Sequence, residues 1–188
     1  MRRMVLPLAP DFDALDNALQ RTSSQRQDFL AQIGELNFTW SNNESMFIYV
    51  LMLLLRTDEV AAAIVFSTLN TTRSRLDLAQ RLAKTHVTDN ALRAEIEQLI
   101  ERFSRVTRIR NEFNHTTFSI DAGGTITHTQ SMKLEESRGK LRFGVRKPVD
   151  DARRAELAAA ITTLKGINKS FWDIMQRLKA HMLASEKS

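Results

Sequence analysis

The segment TDNALRAEIEQLIERFSRVTRIRNEFNH, residues 88–115, decides the fold. Its apolar residues Leu92, Ile96, Leu99, Phe103 and Val106 recur at steps of four and three, which puts them on one stripe of a long helix opened by Thr88. The next steps land on Arg110 and then Phe113. An arginine where the period asks for a core residue is costly unless an anion or a hydrogen-bonding partner meets it. At about 100° per residue, Asn111 and His115 share a face with Arg108, and Arg110 lies on the neighbouring stripe. The end of this helix therefore offers a permanently charged, phosphate-shaped fork beside an imidazole able to exchange a proton near neutral pH. Phosphodiester chemistry needs that combination.

Working outward from this segment, the upstream chain reads as helices. Asp11 to about Gly34 forms a first helix, with Asp11, Asp13 and Asp16 in its first turns, where carboxylates suit the positive end of the dipole. Asn37 or Thr39 can cap a second helix running to about Arg56, with Trp40, Phe47, Val50, Leu51 and Leu54 on its apolar face. Two shorter helices follow, Asp58 to about Leu69 and Thr72 to about Lys84, separated by Asn70-Thr71-Thr72. Downstream of Phe118 the period changes to alternation around Ala122-Gly123-Gly124 and again around Ser137 to Gly139, which predicts a hairpin or small meander over 117–147. Pro148 stops it and Asp150 caps a last helix whose stripe is Leu157, Ile161, Leu164, Phe171, Met175, Leu178 and Met182. The fold expected is all-α, mainly a helical bundle, with a small β-hairpin or meander insertion before the last helix. Residues 1–10 read as an N-terminal arm and 11–188 as a single domain.

Composition narrows the function. A chain of 188 residues with 43% hydrophobic residues can bury one proper core. Cys is absent, which removes disulfides, thiolate zinc sites and a cysteine nucleophile, and suits a reducing compartment, the cytoplasm by default. The most apolar run, Met46 to Leu55, is ten residues, against the roughly 20 a helix needs to cross a bilayer. The apolar stretch after Met1-Arg2-Arg3 is too brief for a signal peptide. No membrane partner is expected. Net charge is +5, and the segment Arg102 to Lys147 holds ten Lys/Arg against four Asp/Glu, so the basic surplus sits in one stretch. Such a patch meets a large anion, nucleic acid first among them, or is a solvated basic face.

The string Arg110-Asn111-Glu112-Phe113-Asn114-His115 resembles the R-N-x-x-x-H form of the motif found in HEPN domains, which are helical bundles with the motif toward the end of a long helix. The resemblance extends over about 40–182, and Trp40-x-x-x-Glu44 is similar to the pair that opens the core in some bacterial members. It implies a metal-independent endoribonuclease, acting as a homodimer with a composite active site, with toxin or phage-defence roles and an antitoxin or regulatory protein as a further partner. Under that resemblance Arg110 and His115 are catalytic with Asn111 in support, and Arg108 and Asn114 contact RNA; no cofactor and no metal are implied. The alternative is a non-catalytic module that binds RNA, a nucleotide or a protein.

Other polar residues carry ordinary readings. His86, His128 and His181 are scattered, with no second ligand at metal spacing. Gly123-Gly124 lacks the strand before and the Lys after that a phosphate loop requires. Asp11-x-Asp13 lacks the upstream Gly-Ser of a nucleotidyltransferase. Two of Arg73, Arg75 and Arg81 could border a cleft, although solvated helix charges are the commoner reading, and Glu44 could be an interface hydrogen-bond partner.

Overall fold

The computed structural model describes residues 11–21, 23–137 and 139–185; the expected arm, 1–10, lies outside them. The described chain is mainly helical, with α1 (Phe12–Gln20), α2 (Ser24–Leu55), α3 (Glu59–Thr68), α4 (Thr72–His86), α5 (Asn90–Asn114) and α6 (Asp151–Ala184). Five strands stand between α5 and α6: β1 (Thr116–Ile120), β2 (Ile126–Ser131), β3 (Leu134–Ser137), β4 (Lys140–Phe143) and β5 (Arg146–Pro148). This is the helical fold with a small β insertion that the periodicities call for. The chain divides into two compact units, Met1–Ile33 with Phe113–Ala155, and Gly34–Glu112 with Glu156–Ser188.

The second, helical unit buries the stripes that the sequence announces. Leu92, Ile96, Leu99, Phe103 and Val106 of α5 are all buried, together with Phe47, Val50, Leu51 and Leu54 of α2 and Leu157, Leu164, Phe171 and Leu178 of α6. Phe103 is the hub: its ring stacks on Trp40 at 5.8 Å, and Phe47 lies 5.4 Å from it and packs edge-on against Phe171 at 4.9 Å. The buried Asn43 side-chain N–H2 donates to the carbonyls of Thr39 and Leu164, which ties α2 to α6, while its Oδ1 is buried with no partner among the described residues. Local chemistry sets the helix starts. Asp58 caps α3 by accepting from the Ala61 N–H, and Thr71 and Ser74 form a reciprocal capping box on α4. For α5 the cap is the Asp89 carboxylate, which accepts from the Ala91 and Leu92 N–H groups, so the helix opens after Asp89 rather than at Thr88.

In the first unit, β1, β2 and β5 form an antiparallel sheet in the order β1-β2-β5, and β3 and β4 pair as a separate hairpin. Pro148, which has no N–H to donate, sits on the edge strand β5. The β1–β2 connection turns on Asp121, whose Oδ1 accepts from the Gly123 and Thr125 N–H groups. Gly124, at φ +81°, lies so close to the chain end of α1 that an added Cβ would come within 2.6 Å of the Ala18 carbonyl. Phe29 and Phe113, both buried, meet edge-on at 6.1 Å, and the Arg153 guanidinium covers Phe113 at 4.2 Å.

The structure corrects the first two helices. The single helix expected over Asp11 to Gly34 is broken: α1 ends at Gln20 and α2 starts at Ser24. Two side chains make that break. Ser23 Oγ accepts from the Arg26 N–H to open α2, and the Arg26 guanidinium donates to the carbonyls of Ala18 and Leu19 to close α1. The boundary expected at Asn37 or Thr39 does not exist, because α2 runs through both without interruption. Asn37 serves a tertiary contact instead of a cap, receiving Arg110, and Thr39 is buried, its carbonyl accepting from the Asn43 side chain one turn along the same helix.

Candidate functional site

The arginine that interrupts the α5 stripe is accommodated by α2. Asn37, Trp40 and Glu44 recur at steps of three and four, so they form one line down that helix. The Arg110 guanidinium lies over the Trp40 ring, 4.1 Å from its centroid, and its Nε donates to Asn37 Oδ1 at 3.1 Å. The Trp40 Nε1–H in turn donates to Thr107 Oγ1, so the ring that carries Arg110 is itself pinned to α5. Partial burial pulls the Arg110 pKa below its ordinary value, opposed by the negative charge of Glu44. The cation is held, not idle, and its Nη1 donates to Asn111 Oδ1 at 3.0 Å.

Asn111 links this inner cluster to an open groove. A cavity of about 580 Å³ lies between α4 and α5, lined by Thr71, Thr72, Arg73 and Leu76 on one side and Ser104, Thr107, Arg108 and Asn111 on the other. Among the described residues, no carboxylate lines it. Behind its wall Glu44 accepts from the Thr72 hydroxyl at 2.6 Å and from the Arg75 guanidinium at 3.0 Å, so that carboxylate is matched by one hydroxyl and one cation. Arg75 also donates to the carbonyls of Phe66 and Leu69 and covers the Phe66 ring at 4.0 Å, which makes it a clasp for the end of α3.

The expected site residues fall in both units. Arg108, Arg110 and Asn111 belong to the helical unit, and the structure brings them together through the groove and the Arg110–Asn111 bond. Asn114 and His115 belong to the first unit. Asn114 is the last residue of α5 and is exposed. His115 stands just beyond the helix end, so the helical phase that aligned it with Asn111 and Arg108 stops one residue short of it. Its side chain is exposed, and its carbonyl accepts from the Met132 N–H at 3.3 Å. Sequence reasoning missed two contributors, Trp40 as the platform for Arg110 and Asn37 as its acceptor, and Arg73, one of three arginines of which two could border a cleft, does line the groove. The line Asn37-Trp40-Glu44 on one helix face was the signal for the first two.

Two of the remaining histidines are engaged elsewhere. His181 Nε2 accepts from the Thr88 N–H, and His128 Nδ1 faces Arg146 at 3.1 Å. Among the described residues, no three His, Cys, Asp or Glu side chains gather as a metal site, and no helix is long and apolar enough to cross a membrane. Comparison with known protein families, with curated proteins and with solved structures finds no match.

Proposed function

We propose that this chain is a HEPN-like, cytoplasmic endoribonuclease that cleaves RNA without a metal ion, through the motif Arg110, Asn111 and His115. One observation carries the reading: the motif arginine is pre-oriented on Trp40 and Asn37 and is bonded to Asn111, a wall residue of an open groove that no carboxylate lines among the described residues. A guanidinium fixed before substrate arrives loses little on meeting a phosphate, and electrostatic stabilisation of this kind is worth about 10²–10³ in rate. The motif spacing and the confinement of the basic surplus to Arg102–Lys147 support it further.

The chemistry follows from the side chains. The ribose 2′-oxygen attacks phosphorus and forms the O2′–P bond, while the P–O5′ bond breaks. His115 takes the 2′-hydroxyl proton, and the partner subunit's His115 gives a proton to the departing 5′-oxygen, or the two exchange roles. Arg110 offsets the charge that grows on the phosphoryl oxygens, with Asn111 holding it in place and Arg108 and Asn114 contacting RNA. The product carries a 2′,3′-cyclic phosphate, and DNA is spared because it lacks the hydroxyl. A homodimer supplies both imidazoles. A neutralising or regulatory protein is the further partner that a toxin or defence role requires.

A second reading, an RNA-binding module without cleavage, is favoured by one observation: Arg110 already spends Nε and Nη1 on protein acceptors. Product analysis separates the two. Purified protein is incubated with RNA in EDTA, and new ends bearing cyclic phosphate are expected from the wild type and absent from His115→Ala. Intact RNA bound by the wild type supports the module, and cutting that persists in both His115→Ala and Arg110→Ala removes the nuclease.

A further inference from the structure

The arginines of α4 and α5 are treated unequally by their neighbours. Arg81 pairs with Asp77 and Arg105 with Glu101, each one helical turn away, and Arg93 donates to Asn90. Arg73 is also one turn from Asp77, yet Asp77 pairs with Arg81. One turn before Arg108 stands the uncharged Ser104. Among the described residues Arg73 and Arg108 have no ion-pair or hydrogen-bond partner, both are exposed, and both line the same cavity. Two unneutralised guanidiniums facing one space raise its potential and favour an anion there.

We propose that the groove between α4 and α5 is a phosphodiester subsite, in which Arg73 and Arg108 each take one backbone phosphate of a single RNA strand. The assignment rests on the RNA reading above and deepens it. The Ser104 hydroxyl and the Asn111 side-chain N–H2 supply uncharged donors to the same oxygens or to ribose, while the Thr71 and Thr72 hydroxyls are engaged by Ser74 and Glu44. The volume of about 580 Å³ falls within the usual range for ligand sites, about 300–1,000 Å³. Among the described residues no aromatic side chain lines the groove, so they offer no platform for a base, and the groove reads the backbone without regard to sequence. Asn111, shared between the groove and Arg110, joins this subsite to the motif.

The test is a salt titration of binding. A fluorescent 12-nucleotide single-stranded RNA, and the same strand as DNA, which cannot be cut by 2′-hydroxyl attack, are titrated against wild type, the double variant Arg73→Ala/Arg108→Ala and the double variant Arg73→Lys/Arg108→Lys. Each phosphate contact on a single strand contributes about 0.7 to the slope of log K against log salt, so losing two lowers it by about 1.4. Expected are that drop for both strands, a loss of affinity of tenfold or more, recovery of the slope in the lysine pair, and RNA cleavage weakened through KM rather than kcat. An unchanged slope in the alanine pair, with wild-type binding and cleavage intact, overturns the subsite and leaves the nuclease standing. Slope loss with no cleavage by any variant supports the subsite and removes the nuclease. A wild type that binds neither strand overturns both. Unaltered helical circular dichroism in the double variants excludes misfolding as the cause.

Discussion

On α4 and α5 two pairs of arginines sit only two residues apart in sequence, Arg73 with Arg75 and Arg108 with Arg110, and the members of each pair live in different surroundings. Arg75 and Arg110 face inward, stacked on Phe66 and Trp40 and bonded to carbonyl, carboxylate or amide oxygens. Arg73 and Arg108 face the groove and touch no acceptor among the described residues. A displacement of two positions turns a helical side chain by about 200°, so neighbours in sequence fall on opposite faces. The same residue type is therefore a structural clasp in one position and an open cation in the other.

Catalysis gives the largest separation. Alanine at His115 is expected to lower the rate of RNA cleavage about 10³-fold, and at Arg110 by a similar factor, measured as single-turnover cleavage in EDTA. Only the Arg110 change should also lower stability, because the His115 ring is exposed whereas Arg110 is stacked and bonded. Equal melting temperatures for the two variants would break the distinction.

Among the stability effects, Arg75→Ala should be the costliest, about 2–4 kcal/mol by urea unfolding, since it strips partners from two α3 carbonyls and from a Glu44 carboxylate whose side chain is 13% exposed. Arg110→Ala should cost about 1–2 kcal/mol, for one stacking contact and the bond to Asn37. Arg73→Ala and Arg108→Ala should each stay within about 0.5 kcal/mol of wild type. A groove variant as damaging as Arg75→Ala would mean that the open arginines are structural after all.

The smallest effect concerns a third kind of arginine, exposed but paired. Arg177 on α6 donates to Glu95, and that bond holds the Glu95 pKa below the ordinary carboxylate range. Asp89 is likewise lowered, by the N–H groups of Leu92 and then Ala91. Both carboxylates are more acidic folded than unfolded, so their contribution is present at neutral pH and is lost as pH falls through their depressed folded values. Wild-type stability should therefore decline on acidification below the usual carboxylate range. Arg177→Met should flatten that decline, leaving mainly the share of Asp89, as read from unfolding curves taken at successive pH values.

The stripes on α5 and α6 and the strand region were legible because a buried face imposes its period on the residues that form it. The mismatch at Arg110 was legible for the same reason. The break at Arg21–Ser23 was hidden because the Arg26 guanidinium that closes α1 looks like any exposed charge in the sequence. Asn37 was misread as a cap because an amide that receives a guanidinium 73 positions away is indistinguishable, locally, from one that receives its own backbone.

Local order along the chain was enough to specify α3 to α6, a β insertion and the anomalous cation, but not the boundary between α1 and α2, since helical and strand periods depend on residues within a turn of each other. Which arginines are clasped and which are left open was settled by chain folding, through partners such as Trp40 on another helix. Charge and hydrogen bonding act through space, and a linear string records only which groups exist, not which of them meet.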